Sequence, residues 1–286
     1  MSTSIHEAGL HLLRHPVRPL LSIVEFIYHT GAFSSVEEVL ELLPENIETE
    51  SALYTKAKEH LRPYLRVLQG CNARKTAEQE QLPQVLDDNN QVLGSAATLS
   101  ALLAQQILEL ELERINSLLC GAHHCTLCCT GPDASMRQEY FDIPLQTGEE
   151  NLFAGVKQRD GEDEGAQLQP LDILADQLHE GGCEAVLIKH QQGLSLVLHR
   201  GSHCPALDPE GRCTIYADRP RVCRKPQIFP YLLEEEKDST GGGPVFRLRN
   251  TLLAVMDCPY VQQLQEDIAQ YAAASELELV FRTNKA

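Results

Sequence analysis

The sequence has neither an excess of basic residues nor a long apolar run, and its first residues do not predict a secretory leader. It contains 24 Lys plus Arg against 41 Asp plus Glu, a formal net charge of −17, which gives no overall attraction to nucleic-acid phosphates or anionic lipid. Its longest apolar runs, such as residues 252–256, fall far short of the roughly 20 residues that span a bilayer. Residues 1–14 contain no apolar stretch followed by a small-residue cleavage site. We therefore expect a cytoplasmic protein that binds neither nucleic acid nor a membrane.

Phosphate-binding glycine motifs are missing as well. The glycines at residues 241–243 are followed by Pro244, and neither G-x-G-x-x-G nor a following G-K-[ST] is present there. This stretch is predicted to be a loop and not a nucleotide cradle. The chain is nevertheless large enough for a hydrophobic core, because 286 residues with 43% hydrophobic content suit one large domain or two of ordinary length.

Apolar residues recur at helical intervals in the first part of the chain. This spacing predicts helices over residues 16–29, 36–43, 50–68 and 95–119. Ser34 or Ser35, each followed three residues later by a glutamate, marks the start of the second helix. Pro63 should kink or break the third helix. The fourth has the clearest period and leads the chain directly to Cys120.

Beyond Cys120 the pattern changes to short strands and irregular connections. Two runs rich in Val, Ile and Leu, at residues 183–190 and 194–199, are separated by a short polar turn and predict a β-hairpin. A further strand is expected over residues 245–253. Apolar spacing over residues 260–279 predicts a C-terminal helix.

Ten cysteines are the most informative feature of the composition. Only Cys71 precedes Cys120, and the other nine lie between Cys120 and Cys258. In a reducing compartment an even number of cysteines does not imply disulfides, because cellular thiol systems keep structural thiols reduced. The uneven distribution therefore indicates metal binding or thiol chemistry in the second part of the chain.

The first cysteine group has the spacing of a ligand loop. Cys120, Cys125, Cys128 and Cys129 form a C-x4-C-x2-C-C pattern, and the small residues after Cys120 let the backbone fold tightly around an ion or cluster. C-x4-C-x2-C followed by a distant fourth cysteine is also the spacing of plant-type iron–sulfur loops. Adjacent side chains in an extended segment point to opposite sides, so Cys128 and Cys129 are predicted to serve two different centres.

The second cysteine group carries a family resemblance. Cys204 begins a C-x2-L sequence, Cys213 lies in C-x-I-Y and Cys223 lies in R-P-x-x-C-R. Together with the adjacent cysteine pair, these motifs resemble the cysteine-cluster proteins called CxxCxxCC or YkgJ-like, which are described as zinc- or iron-chelating. The resemblance covers roughly residues 120–258 and does not account for the helical first half. It implies that the family's later cysteine, in a D-C-P context, corresponds to Cys258.

The first motif departs from the family pattern. A strict C-x2-C-x2-CC would place its first cysteine at position 122, which is Ala122 in this sequence. Cys120 would substitute through a loop two residues longer. Otherwise His123 or His124 could supply a nitrogen ligand, or the site could have one ligand fewer.

Eight thiols are the predicted metal ligands, and they suffice for two four-thiolate centres or for one cluster with spare thiols. They are Cys120, Cys125, Cys128, Cys129, Cys204, Cys213, Cys223 and Cys258. Cys71 and Cys183 lie outside the motifs and are expected to be small buried hydrophobes. The chain is therefore predicted to be an α+β protein. A helical region at residues 1–118 is followed by a loop-rich, metal-stabilised cysteine-cluster domain at residues 119–286, with a small antiparallel β element and a C-terminal helix.

Basic residues are concentrated around Cys223 in an otherwise acidic chain. A four-thiolate zinc site or an oxidised four-iron cluster carries about −2, a charge that is costly to bury unless donors and cations surround it. Arg219, Arg221, Arg224 and Lys225 could offset that charge. The alternative is that these four side chains are solvated surface residues.

Three functions are compatible with these features. The favoured one is a metal-binding protein that holds an iron–sulfur cluster or zinc and has redox or metal-handling activity. An iron–sulfur cluster is preferred to zinc because the number of thiols exceeds what one closed four-cysteine zinc site needs. The second is an enzyme, because the family is similar to flagellin lysine methylases, which implies methyl transfer from S-adenosylmethionine. The third is an interaction protein whose acidic helical region binds a partner protein while the metal is purely structural.

Overall fold

A computed structural model describes residues 5–70, 82–122, 125–134, 136, 138–160, 185–190, 193–224, 227–236 and 243–283. Contacts between Cα atoms divide the chain into two compact units. The described residues of the first unit belong to Met1–Leu119, Gln227–Met256 and Tyr260–Thr283. Those of the second unit belong to Cys120–Pro226 and Asp257–Pro259.

Most of the helical residues belong to the first unit. In chain order the described helices are α1 (Ile5–Arg14), α2 (Arg18–Thr30), α3 (Val36–Leu42), α4 (Ala57–Leu61), α5 (Leu65–Leu68), α6 (Ser95–Ala122), α7 (Arg221–Arg224), α8 (Pro259–Gln263) and α9 (Gln265–Ala274). Short 3-10 turns occupy Arg62–Tyr64 and Glu149–Phe153. No helix in the described ranges combines the length and the hydropathy that a membrane crossing requires.

The described strands are short, apart from two. They are β1 (Asn46–Glu48), β2 (Leu53–Thr55), β3 (Gln84–Leu86), β4 (Tyr140–Leu145), β5 (Gln158–Asp160), β6 (Val186–His190), β7 (Gly193–His199), β8 (Ile228–Glu235), β9 (Val245–Val255) and β10 (Glu278–Arg282). Helices and strands are both well represented, which confirms the predicted α+β class.

Local sequence signals set the ends of the first helices. The Ser35 hydroxyl caps α3 by accepting a hydrogen bond from the backbone N–H of Glu38. The Glu38 carboxylate in turn accepts hydrogen bonds from the N–H and the hydroxyl of Ser34, so the predicted start of this helix is confirmed. Pro63 lies in the 3-10 turn between α4 and α5, which is the predicted break, because proline cannot donate the hydrogen bond of a regular helix.

The long predicted helix is confirmed as α6, and two of its amide side chains bind the backbone of β8. The Gln105 amide donates to the Pro230 carbonyl (3.3 Å) and accepts from the Leu232 N–H (2.9 Å). The Asn116 amide donates to the Ile228 carbonyl (2.7 Å). Among the described strands, β8 pairs with β9 alone. Both helix positions therefore satisfy main-chain groups at the edge of the sheet.

β9 is the central strand of the sheet in the first unit. β8 pairs with it antiparallel, and β3 and β10 pair with it parallel near its two ends. The predicted helix over residues 260–279 is wrong in its last part, because helix α9 ends at Ala274 and β10 follows. Glu276 adopts a left-handed backbone conformation with φ of 55°, which ends the helix. The hydrogen bonds of β10 go to a strand distant in sequence, and apolar spacing carries no information about them.

A buried carboxyl group joins three segments of the first unit. Glu111 on α6 is 1% exposed, and its two oxygens accept hydrogen bonds from the Val17 N–H (2.8 Å) and the Tyr271 hydroxyl (2.6 Å). Burial raises the pKa of Glu111 to about 8, although these hydrogen bonds oppose the rise. The carboxyl group is therefore mostly protonated at neutral pH.

The second unit is built on a four-stranded sheet in the order β4, β7, β6, β5. β6 and β7 are antiparallel and pair His190 with Gly193 at the turn end, which confirms the predicted hairpin. β4 adds antiparallel to β7, and β5 adds parallel to β6. Burial of apolar side chains on one face stabilises the sheet; the cluster contains Ile143, Leu145, Phe153, Leu187, Leu196, Leu198 and Ala206.

The C-terminal residues group differently from the predicted division of the chain. Gln227–Met256 and Tyr260–Thr283 contact the N-terminal residues, because β9 pairs with β3 and Arg14 forms an ion pair with Asp267 at 2.7 Å. Of the described residues after Met256, Asp257–Pro259 belong to the second unit. As a statement about independent domains, the division into 1–118 and 119–286 stays a prediction.

Candidate metal centre

Main-chain hydrogen bonds hold two cysteine segments side by side. The Cys129 N–H closes a tight turn by donating to the Thr126 carbonyl (2.7 Å), and the Cys129 carbonyl accepts from the Cys204 N–H (2.7 Å). An isolated antiparallel bridge between Thr130 and His203 continues this pairing. The turn at residues 126–129 and the segment at Cys204 are therefore next to each other although they are distant in sequence.

Gly131 allows the cysteine turn to approach the sheet. Its N–H donates to the Ser202 carbonyl (2.8 Å), and a Cβ atom at this position would lie 1.7 Å from the His199 carbonyl oxygen. No side chain can be accommodated at that distance. Glycine is therefore required here by the close approach of the two backbones.

A short loop returns the chain from Cys204 to Cys213. The Leu207 N–H donates to the Cys204 carbonyl (2.9 Å), and Leu207 forms an isolated antiparallel bridge with Cys213. Thr214 donates both its N–H (2.8 Å) and its hydroxyl (2.9 Å) to the Ala206 carbonyl. These bonds hold the Cys204 and Cys213 segments close together.

The short helix α7 carries Cys223. Its first residue, Arg221, donates its N–H to the Glu149 carboxylate (2.8 Å), and the Cys223 N–H donates to the Pro220 carbonyl (2.9 Å). Cys223 and Cys204 pack against the same apolar cluster of the sheet. The sheet therefore supports thiols from two different motifs.

All eight cysteines predicted as ligands belong to the second unit, and all eight are free thiols. Burial raises the pKa of Cys120 and of Cys223 to about 12, and neighbouring cysteines add to both rises. At the adjacent pair the Cys129 thiol donates a hydrogen bond to the Cys128 sulfur, which lowers the pKa of Cys128 and raises that of Cys129. A bound cation would stabilise thiolates that burial and mutual repulsion otherwise disfavour.

The adjacent pair does not lie in an extended segment. Residues 127–129 form a turn, which the hydrogen bond from the Cys129 N–H to the Thr126 carbonyl (2.7 Å) closes. The premise of an extended segment is therefore wrong, and the assignment of Cys128 and Cys129 to two different centres stays a prediction. Assigning the pair to two centres needs a different basis.

Two cysteine sulfurs accept hydrogen bonds from main-chain N–H groups. The Leu127 N–H donates to the Cys125 sulfur (3.4 Å). Burial raises the pKa of Cys204, and a hydrogen bond from the Ala206 N–H opposes that rise. In both turns the donor is two residues after the cysteine. Such bonds favour the thiolate, which is the form that binds metals.

Arg219 lies among the thiols and is 8% exposed. Its guanidinium donates to the carbonyls of Cys223 (3.1 Å) and Tyr216 (2.8 Å) and stacks 4.0 Å from the centre of the Tyr216 ring. Its positive charge partly offsets the burial that raises the pKa of Cys120 and Cys223. The position of Arg219 supports the prediction that a basic residue compensates the charge of the thiol cluster.

The other basic residues around Cys223 are placed differently. Arg221 is exposed, as the surface interpretation predicts. Arg224 is half-buried and donates to the carbonyls of Arg219 (2.9 Å) and Ala217 (2.9 Å), so it braces the loop that holds Arg219. Lys225 lies outside the described residues.

Several sequence predictions fall outside the described residues. His123 and His124, the alternative nitrogen ligands, are among these, and so are Cys71 and Cys183. A ligand role for either histidine and a packing role for either cysteine therefore stay predictions.

The fit of a metal ion rests on donor chemistry. Within the described ranges, no group of three or more His, Cys, Asp or Glu side chains is placed so that it could hold an ion together. Eight thiols in one unit, N–H donors to sulfur and a buried arginine are nevertheless the groups that a thiophilic cation such as zinc or iron requires. The residues fit such a metal in kind and in number.

Comparison with protein families matches the part of the chain that contains most of these cysteines. Residues 119–241 match the CxxCxxCC family model. Over these residues the chain is similar to that family. The family is described as a "putative zinc- or iron-chelating domain", so the resemblance inferred from the motifs is confirmed. Searches of curated proteins and of solved structures gave no significant match.

The matched region, residues 119–241, contains seven of the eight predicted ligands, and Cys258 lies beyond its end. Sequence motifs did not reveal the roles of Gly131 or of the Leu127 and Ala206 N–H groups. For Gly131, the signal available in the sequence was a glycine two residues after the adjacent cysteine pair. The N–H donors belong to the backbone, so residue types do not show them.

Proposed function

We propose that the matched region, together with Cys258, binds iron as an iron–sulfur cluster and has redox or metal-handling activity. Zinc bound by the same thiols is the alternative. The observation that carries the proposal is convergence, because cysteines from separate motifs belong to one compact unit. Main-chain hydrogen bonds join the Cys129 segment to Cys204, and an isolated bridge joins Leu207 to Cys213. The proposed ligands are Cys120, Cys125, Cys128, Cys129, Cys204, Cys213, Cys223 and Cys258.

The surroundings of the thiols suit an anionic centre. A centre with four thiolates carries about −2, and such a charge is tolerated in a protein when cations and hydrogen-bond donors surround it. Arg219 supplies a buried cation, and the N–H groups of Leu127 and Ala206 donate to sulfur. These groups would lower the cost of holding several thiolates together.

The number of thiols favours iron–sulfur over a single zinc ion. One closed structural zinc site needs four ligands, whereas eight free thiols lie among the described residues of the second unit. A bound iron–sulfur cluster would supply one-electron chemistry, at a potential set by nearby charge and by hydrogen bonds to sulfur. Arg219 and the two N–H donors are the residues of this chain that would tune it.

Elemental analysis of anaerobically purified full-length protein tests this proposal. We expect brown protein with stoichiometric iron, acid-labile sulfide and thiolate-to-iron charge-transfer absorbance. Colourless protein with stoichiometric zinc would establish the alternative. Protein without either metal, after expression in iron- and zinc-replete medium, would refute metal binding by this cluster.

Single cysteine variants test the ligand assignment. Cys213→Ser and Cys223→Ser should each lower the metal content and the melting temperature, because metal binding stabilises the folded state. Cys71→Ser is the control, since the sequence places Cys71 outside the motifs. A Cys213 or Cys223 variant with full metal content and an unchanged melting temperature would exclude that residue as a ligand.

A further inference from the structure

Three histidine rings meet in the first unit. His11 lies on α1, His15 follows the last residue of this helix, and His60 lies on α4. The rings of His11 and His15 are stacked with their centres 4.2 Å apart, and the His60 ring stacks 5.8 Å from His11 and 6.2 Å from His15. We refer to these three residues as the histidine cluster, which joins α1 to α4.

A hydrogen bond and a buried tyrosine hold these rings in place. The His15 Nδ1–H donates to the His11 carbonyl (2.8 Å), which leaves Nε2 of His15 as the nitrogen that takes up a further proton. The Tyr54 ring of β2 meets the rings of His15 and His60 nearly at right angles, with centres 5.9 and 5.7 Å away. Its hydroxyl donates to the Pro16 carbonyl (2.7 Å). Burial raises the pKa of Tyr54 to about 12, so this neighbour stays uncharged.

The stacked rings are unsuited to carrying several positive charges. Neutral aromatic rings attract one another at these distances, whereas two imidazolium rings repel each other. Burial lowers the pKa of His11, and His15 lowers it further. Burial also lowers the pKa of His60, and His11 and His15 add to that effect. Each proton that the cluster takes up therefore opposes the next.

Acidic groups near the cluster oppose this effect only weakly. Glu59 favours the charged form of His60, as does a hydrogen bond to the Thr55 backbone, but burial and the other two histidines have larger effects. Glu7 lies one turn before His11 on α1. Both glutamates are exposed, so solvent and salt screen their charges.

The basic residues around the cluster add positive charge. Arg14 at the end of α1 is paired with Asp267 of α9 at 2.7 Å. Lys56 precedes α4 and lies 3.7 Å from Glu59, and Lys58 lies on α4 itself. These groups do not neutralise protonated imidazoles.

We propose that the histidine cluster is an acid-sensitive latch, which holds α1 against α4 while its imidazoles are neutral and loosens α1 when two of them are protonated. In the loosened state His11 and His60 regain the ordinary histidine pKa of 6.5, whereas in the packed state they take up protons only at lower pH. The loosened state therefore binds more protons below about pH 6.5, and acid favours it. The latch does not depend on the metal proposed for the second unit.

Hydrogen exchange of α1, measured by mass spectrometry on full-length protein at low salt, tests the latch. Wild type is compared with His60→Phe, which keeps an aromatic ring and cannot be protonated. The measured quantity is the ratio of α1 protection in the variant to that in wild type. Glu111 also responds to pH in this range, but it is present in both chains, so its effect cancels in the ratio.

The ratio should rise by about fivefold or more from pH 7.5 to pH 5, the factor given by two unit charges about 4 Å apart in water. His29→Phe is the control, because His29 is an exposed histidine of α2 outside the cluster, and its ratio should be the same at both pH values. A His60→Phe ratio that does not change with pH would overturn the proposal. An equal rise in peptides of α6 would also overturn it, because the effect would then be global and not a loosening of α1.

An NMR titration of the imidazole signals of ¹³C-labelled wild-type protein does not rely on the folding of a variant. The three rings of the cluster should titrate over a wider pH range than a single imidazole, because each proton opposes the next. Three independent one-proton curves at the ordinary histidine pKa would refute the latch.

Discussion

Replacing Glu111 by glutamine should remove a pH dependence of stability that belongs to one buried group. The pKa of Glu111 is about 8 in the folded protein, against an ordinary value of 4.5. Between these two values the folded state holds a proton that the unfolded state has released. Its stabilising effect is therefore fully present below about pH 4.5 and is lost as the pH rises toward 8.

The magnitude follows from the two pKa values of Glu111. Their difference of 8 − 4.5 = 3.5 corresponds to about 5 kcal/mol, at about 1.36 kcal/mol for each pH unit. Glutamine has the shape of the protonated carboxyl group and can keep both hydrogen bonds, accepting from the Val17 N–H and donating its amide to the Tyr271 oxygen. Glu111→Gln should therefore resemble wild type at pH 5 and exceed it by up to about 5 kcal/mol above pH 8.

Urea denaturation followed by circular dichroism at pH 5, 6.5 and 8.5 measures this effect on Glu111. The quantity of interest is the difference in unfolding free energy between Glu111→Gln and wild type at each pH, because pH effects on the thiols cancel in it. Glu113→Gln, on the same helix and half-buried, is the matched control for the loss of a glutamate from α6. A Glu111→Gln difference that stays constant from pH 5 to 8.5 would refute a raised pKa for the buried carboxyl group.

Three further substitutions test the packing around the thiols and the strand edge. Gly131→Ala should destabilise the protein by about 3 kcal/mol or more in thermal unfolding, because the added Cβ would lie 1.7 Å from the His199 carbonyl oxygen. Gly94→Ala is the control, because nothing lies within 4 Å of a Cβ at that position. Arg219→Gln should weaken zinc binding about tenfold in chelator competition, or about 1.4 kcal/mol, and Arg219→Lys should weaken it less because the charge is kept. Asn116→Ala should lower the unfolding free energy by about 2 kcal/mol, because it leaves buried partners without a hydrogen bond.

Each of these predictions has an outcome that contradicts it. Equal stabilities of Gly131→Ala and Gly94→Ala would mean that the loop does not approach the sheet so closely. Equal zinc affinities of the two Arg219 variants would mean that geometry, and not charge, is what Arg219 supplies. An unchanged melting temperature of Asn116→Ala would show that the edge of β8 is satisfied without its amide.

The sequence by itself determined the features that depend on neighbouring residues. Apolar periodicity over residues 95–119 predicted α6, the run interrupted at residues 191–193 predicted the hairpin, and the spacing around Cys204 and Cys223 predicted the family. These signals are local because a helix or a hairpin makes its hydrogen bonds within a short stretch of chain. Ligand spacing is local for the same reason, since one turn presents several sulfurs.

Only the tertiary structure decided the features that depend on residues far apart. β10 exists because β9 accepts it as a parallel partner, and apolar spacing at residues 260–279 indicated a helix instead. The sequence did not show that Arg219 is buried, because the same basic cluster contains Arg221, which is exposed. The burial of a charge, the pairing of a strand and the contact between two cysteines all depend on residues from distant parts of the chain. Spacing along the sequence does not show which of those residues will be in contact.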